Sequence, residues 1–231
     1  MQPIAQRAMK PEIIKKIDAA GVIAVLVIDD VKHAVPTAKA LLAGGVDAIE
    51  LTLRTPAAIE CIKAIQTEVP GIIMGIGTVL TTKQVEVVAK LGVDFAVAPG
   101  CNLNVLKAAY ENGLSFAPGI MTPSEIETAL EFGCRVLKFF PAEPTGGIEF
   151  LNSMAGPYGY LDLAFIPLGG LNIHNARGYI ESPLITAIGG SWIASRSLIQ
   201  YEQWETITKN AQVITNLISQ IRTGNIKLKK T

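Results

Sequence analysis

The chain has 231 residues, 49% of them hydrophobic, and its 20 Lys and Arg balance 20 Asp and Glu. That length fits one large α/β domain spanning residues 1–231, with enough apolar surface for a real core. The charge balance excludes the broad basic footprint of a nucleic-acid or membrane-surface binder and leaves small molecules as the expected partners.

Met1–Arg7 lacks the apolar run of a signal peptide, and no stretch approaches about 20 uninterrupted apolar residues, so the expectation is a soluble, cytoplasmic protein. Pro11–Ala20 reads as an opening helix. Apolar, β-branched runs then alternate with stretches of helical period. Val22–Ile28 is the first expected strand, with Asp29-Asp30 placed to cap a helix over Val31–Ala43. The units that follow pair Ala48–Leu53 with Pro56–Val69, Ile72–Thr78 with Thr82–Leu91, and Phe95–Ala98 with Asn102–Asn112. Ser115–Ile120 precedes Pro123–Phe132, Arg135–Phe140 precedes Ile148–Met154, and Ala164–Leu168 precedes Asn175–Ser182. Ile185–Gly189 is the eighth strand, and Glu202–Ile221 closes the chain as a longer helix. Nearly continuous apolar runs are the mark of parallel strands covered on both faces.

Turn chemistry sets the boundaries. Gly44-Gly45, Gly92, Gly113 and Gly133 stand where a left-handed glycine would stop a helix, and Thr81, Asn102 and Thr122 stand where caps would start one. Eight such units can close into a barrel or lie open. No glycine fingerprint of a dinucleotide crevice follows the first strand, so the expected fold is an α/β (β/α)8 TIM barrel with an N-terminal helix.

Lys138 stands in the middle of an apolar strand, Arg135-Val136-Leu137-Lys138-Phe139-Phe140, where an unpaired ammonium is costly to bury. It either snorkels out of the strand or pairs with a carboxylate, or burial holds it neutral, and a neutral amine can attack a ketone. In Ile49-Glu50-Leu51-Thr52-Leu53-Arg54 the polar residues alternate with the apolar ones, which puts Glu50, Thr52 and Arg54 on one strand face. The apolar set would face the helices, and the polar set the barrel mouth, where this fold keeps its chemistry. Glu50 suits proton transfer, and the Arg54 fork suits a carboxylate. Gly75-Ile76-Gly77-Thr78 ends the third strand with room for backbone to approach a ligand, plus one hydroxyl. Gly169-Gly170 and Gly190-Ser191 end the last two strands, where barrels bind phosphate through glycine-rich loops.

Cys61, Cys101 and Cys134 are widely spaced, with no CxxC, and read as small buried hydrophobes rather than as a disulfide or zinc framework. His33 and His174 lie far apart and read as solvated helix residues, so no metal site is expected.

On these residues the chain resembles the 2-keto-3-deoxy-6-phosphogluconate and 4-hydroxy-2-oxoglutarate aldolase family over nearly its whole length. The resemblance rests on His33-Ala34-Val35-Pro36, Glu50–Thr55, Gly77-Thr78-Val79, Pro118-Gly119-Ile120, Lys138-Phe139-Phe140-Pro141-Ala142-Glu143, Ala155-Gly156-Pro157 and Gly189-Gly190-Ser191-Trp192. It implies a class I lyase of the Entner–Doudoroff route, usually a homotrimer, that releases pyruvate and glyceraldehyde 3-phosphate and needs no cofactor. It implies Lys138 as the Schiff-base lysine, Glu50 as acid and base, Arg54 and Thr78 as holders of pyruvate, and Gly169, Gly170, Gly190 and Ser191 as the phosphate site. The chain departs from the family pattern at Leu168, where Thr is usual, and at Ala98, where Ser is common; each removes a hydroxyl. Two other readings share some features: a phosphate-binding barrel isomerase or epimerase, which needs no Lys138, and a non-catalytic trimeric scaffold.

Overall fold

The computed structural model describes residues 8–228. Nine strands are present: β1 (Val22–Leu26), β2 (Ala48–Thr52), β3 (Ile73–Gly77), β4 (Phe95–Val97), β5 (Phe116–Ala117), β6 (Gly119–Ile120), β7 (Val136–Phe139), β8 (Ala164–Pro167) and β9 (Ile188–Gly190). The helices are α1 (Pro11–Ala20), α2 (Ala34–Ala43), α3 (Ala58–Glu68), α4 (Thr82–Lys90), α5 (Leu103–Glu111), α6 (Pro123–Glu131), α7 (Gly147–Ala155), α8 (Ala176–Ile180), α9 (Arg196–Gln200) and α10 (Trp204–Leu228). All strand pairs are parallel, in the orders β5-β4-β3-β2-β1-β9 and β6-β7-β8. The result is an α/β fold built on a curled parallel sheet.

The helices begin and end where local chemistry says they should. Thr81 and Thr122 each accept the N–H three residues on, while Gln84 and Glu125 reach back to the cap N–H groups, forming two capping boxes. The Asn102 side chain caps α5 in the same manner. Gly45, Gly92, Gly113 and Gly133 take positive φ just past α2, α4, α5 and α6, a conformation that only glycine adopts without strain.

Several expectations are corrected. The stretch Ser115–Ile120 is interrupted at Pro118, which has no N–H to give a ladder; its carbonyl instead accepts from Lys138 N at 2.9 Å. The first residues of the expected second helix, Val31–His33, form a 3-10 turn capped by Asp30. The last expected strand begins later and runs through Gly190, so that glycine sits in the ladder rather than past it. The closing helix is preceded by the short α9, which starts at the Ser195 cap and was not expected.

Two apolar layers result. Ile49, Leu51, Ile76, Leu137 and Phe165 face the helices, while Ile23, Ala48, Ile73, Phe95, Val97, Val136 and Ile166 share an inner cluster with Met9, Ile13 and Ile17 of the N-terminal segment. Ala48, Ile73, Phe95 and Val136 are first residues of their strands, so α1 covers the N-terminal end of the sheet. Arg222 of α10 donates to Asp18 O and Ala19 O and so closes the C-terminal end of α1. No described helix is long and apolar enough to cross a membrane. The opposite, C-terminal strand ends remain for chemistry.

Candidate functional site

Lys138 lies on β7, registered with Gly119 of β6 and Ile166 of β8. Its strand-face neighbours Val136 and Phe140 belong to the inner cluster, which places the lysine inside the curl. Glu50 lies on β2 between Val25 and Gly75. The two side chains meet: Lys138 Nζ donates to Glu50 Oε1 at 3.0 Å, with Lys138 6% and Glu50 2% exposed. Of the sequence alternatives for the lysine, the structure has the carboxylate-paired one, and the side chain does not snorkel out of the strand. Burying this pair requires that each charge answer the other, since losing one partner of a buried pair typically costs about 3–5 kcal/mol. The Phe140 ring centroid is 5.5 Å from Nζ and adds an aromatic wall.

Gly77 explains how the carboxylate fits. A Cβ at Gly77 would stand 2.0 Å from Glu50 Oε1, so only a glycine leaves that oxygen its place. The carboxylate therefore reaches from the middle of β2 to the last residue of β3. Gly75 has a parallel reason, because a Cβ there would enter the Phe95 ring at 2.2 Å. In the sequence these glycines had suggested close approach of a ligand; the structure fills the space with protein side chains.

Thr78 follows Gly77 directly and holds φ 63, a left-handed conformation that is strained for a β-branched residue. Such strain tends to persist at functional sites. Its hydroxyl makes no hydrogen bond among the described residues. Arg54 is not on the β2 face as expected: the strand stops at Thr52, and Arg54 N turns back to Thr52 O at 2.8 Å. Alternation ends with the strand, so Arg54 sits in the turn, exposed, and its guanidinium has no ion-pair partner among the described residues.

The late glycines are brought side by side. The β7–β8 ladder continues past its strands through Leu168 N to Phe139 O at 2.9 Å and Ala142 N to Leu168 O at 2.7 Å. A Cβ at Gly189 would meet Leu168 Cγ at 2.3 Å, so the segments 168–170 and 189–191 pack together. Gly169 and Gly170 take φ 96 and 85. Among the described residues the N–H groups of Gly169, Gly170, Leu171 and Ser191 find no acceptor, and the Ser191 side chain is exposed. Unsatisfied N–H groups of successive residues form a ready anion cradle.

His33 corrects another expectation. It is 8% exposed rather than solvated, and its Nε2 lies 3.2 Å from Glu202 Oε1, with its ring tilted on Trp204. His174 is exposed in the turn after β8. Among the described residues no group of three His, Cys, Asp or Glu could hold a metal ion. Sequence reading also missed the paired hydrogen bonds from Arg196 to Asp29, at 2.7 and 2.6 Å, which tie the loop after β1 to α9. That guanidinium holds the Asp29 carboxyl below its ordinary range.

Comparison with known proteins gives three kinds of likeness. A family model described as KDPG and KHG aldolase matches residues 13–210. A 2-dehydro-3-deoxy-phosphogluconate aldolase of Pseudoalteromonas atlantica is 44% identical over 191 residues, covering 83% of this chain and 88% of that protein. Among solved structures, KDPG aldolase from Legionella pneumophila, with pyruvate captured as a covalent carbinolamine intermediate, has TM-score 0.81 and 36% identity, covering 86% of this chain and 96% of that one. The Zymomonas mobilis 2-keto-3-deoxy-6-phosphogluconate aldolase, with 3-phosphoglycerate, has TM-score 0.78 and 37% identity, covering 87% and 93%.

Proposed function

The chain belongs to the KDPG and KHG aldolase family, and from that premise we propose that Lys138 is the nucleophile and Glu50 the proton carrier of a Schiff-base aldol cleavage. The protein is a class I aldolase acting on 2-keto-3-deoxy-6-phosphogluconate, with 4-hydroxy-2-oxoglutarate as its second substrate. The observation that carries the residue assignment is the buried Lys138–Glu50 contact at 3.0 Å, with the carboxylate reaching the last residue of β3.

Moving the shared proton onto Glu50 frees the amine lone pair, which adds to the ketone carbon of the substrate. Loss of water from the resulting carbinolamine gives an iminium, an electron sink attached to the protein. Glu50, now a carboxylate again, takes the proton of the hydroxyl on the second carbon beyond the ketone. The carbon–carbon bond breaks as its electrons flow into the iminium, releasing glyceraldehyde 3-phosphate from the phosphorylated substrate and leaving an enamine. Protonation at carbon and addition of water release pyruvate and restore the amine. Lys138 supplies the electrophile, so this route calls for no metal or organic cofactor.

Arg54, exposed and without an ion partner among the described residues, suits the substrate carboxylate, and the unbonded Thr78 hydroxyl suits the same end. The N–H groups of Gly169 and Gly170, together with Gly190 and Ser191, suit the phosphate. We read the two sheets as parts of one closed eight-stranded barrel. Phe116–Ala117 and Gly119–Ile120 flank a single proline, and Phe165 bridges Ile185 with Thr186 N donating to Phe165 O at 3.2 Å. Residues 1–231 are taken as one domain, cytoplasmic and assembled as a homotrimer; light scattering tests the assembly. An isomerase has no use for the buried lysine, and a scaffold has no use for its carboxylate partner.

Pyruvate release from both keto acids tests the function. Glu50→Gln keeps the size and the acceptor, and turnover should fall about 10²–10⁴-fold, the usual contribution of a general acid–base group. Normal turnover in that variant removes Glu50 from the mechanism.

A further inference from the structure

We propose that Glu143 and Tyr179 form a buttress that sets the Gly169–Gly170 loop for phosphate, which makes both of them positioning residues for the phosphorylated substrate. The inference rests on the reading above that this loop takes the phosphate. Nothing in the Schiff-base steps uses either residue: the partner of Lys138 is Glu50, and the Glu143 carboxylate is engaged elsewhere.

Tyr179 lies on α8, is 1% exposed, and donates its O–H to Glu143 Oε1 at 2.5 Å. Burial, and then the hydrogen bond to Glu143, push the phenol far above its ordinary range, so it remains a donor at any working pH. Glu143 follows β7, and its own N–H donates to Gly169 O at 3.0 Å. A Cβ on Gly170 would lie 2.6 Å from Glu143 Cβ, so the Gly170 backbone rests directly on the Glu143 stem. From the other side, Asn172 Nδ2 and Asn175 Nδ2 donate to Gly170 O at 3.3 and 3.1 Å. Both loop carbonyls are thus occupied by protein donors, and what the loop has left to offer is its N–H groups. Gly147, with φ 66, lies where a Cβ would be 3.1 Å from Glu143 Oε1 and 3.3 Å from the Tyr179 oxygen, so no side chain intrudes on the pair.

The pair also has an electrostatic purpose. A carboxylate released beside unsatisfied N–H groups would occupy them in place of a phosphate. Binding Oε1 to a buried phenol keeps Glu143 out of the cradle it supports.

The readout is the ratio of kcat/KM for the phosphorylated sugar acid to that for the same acid without its phosphate. Tyr179→Phe keeps the ring and removes the donor, and a net hydrogen bond to a charged group corresponds to roughly a tenfold effect or more. The expected result is a KM for the phosphorylated acid raised about tenfold, with kcat and the unphosphorylated reaction little changed. Glu143→Gln keeps an acceptor for Tyr179 and should retain most of the ratio, whereas Glu143→Leu should lose it. Ser191→Asp places a negative charge at an exposed position of the cradle and probes the phosphate reading by itself. If Ser191→Asp collapses the ratio and Tyr179→Phe leaves it intact, the buttress is overturned and the phosphate site stands. An equal loss on both substrates with a lowered melting temperature assigns the pair to the fold and also overturns the proposal. A ratio unchanged in both variants puts the phosphate elsewhere and removes the reading beneath it.

Discussion

Gly77 and Glu50 show how much of this site is decided by a single atom. The carboxylate occupies the position where any side chain at 77 would begin, with 2.0 Å between Oε1 and a virtual Cβ. A methyl there cannot coexist with the carboxylate, so Gly77→Ala should push Glu50 away from Lys138 and cut turnover by a factor near that of losing the carboxylate, about 10²-fold or more. The backbone of β3 is not in the left-handed region at this glycine, so the fold should tolerate the change. A Gly77→Ala protein that turns over at the normal rate would show that Glu50 need not hold this position. Neither the 88-residue link between Lys138 and Glu50 nor the reason for Gly77 could be read from the sequence, because periodicity reports which face a residue takes and not which distant strand it meets.

At the scale of the element, what could be read was what is local. Capping threonines, left-handed glycines and apolar runs each act within a few residues, and they set α4, α5 and α6 as expected. The break at Pro118, the 3-10 turn at Val31 and the separate α9 carry local signals too, in a proline without an N–H and in the Asp30 and Ser195 caps, but a periodic run continues in sequence across the first two and α9 is too short to show a period. Arg54 was misplaced for a related reason: the polar alternation continued in sequence beyond the point where the strand ended. The α6 capping box makes the local argument testable. Thr122 accepts from Glu125 N at 3.4 Å, and Glu125 Oε2 accepts from Thr122 N at 2.9 Å. Thr122→Ala should lower stability by about 1 kcal/mol, the typical loss of a cap. Denaturant unfolding measures it, and a change near zero would mean that packing alone holds the start of α6.

At the scale of the whole molecule, burial of a thiol ties folding stability to pH. Cys134 is 2% exposed, and burial pushes its thiol from the ordinary 9.0 up to about 12. The folded state keeps this proton while the unfolded chain loses it, so the associated stability is complete below pH 9 and disappears as the pH climbs toward 12. At pH 10.5 the contribution already lost is about 2 kcal/mol. Wild type should therefore lose that much more stability than Cys134→Ala between pH 8.5 and 10.5, and parallel curves for the two proteins would contradict it.

The central claim is that a buried lysine, held by a carboxylate on a facing strand, becomes the covalent handle for a ketone. Incubation with pyruvate and borohydride, followed by peptide mass spectrometry, tests it most directly. The reduced pyruvate adduct should lie on the peptide carrying Lys138, and Lys138→Ala should carry none while keeping its fold by circular dichroism. An adduct on another lysine, or one that survives in Lys138→Ala, would contradict the account.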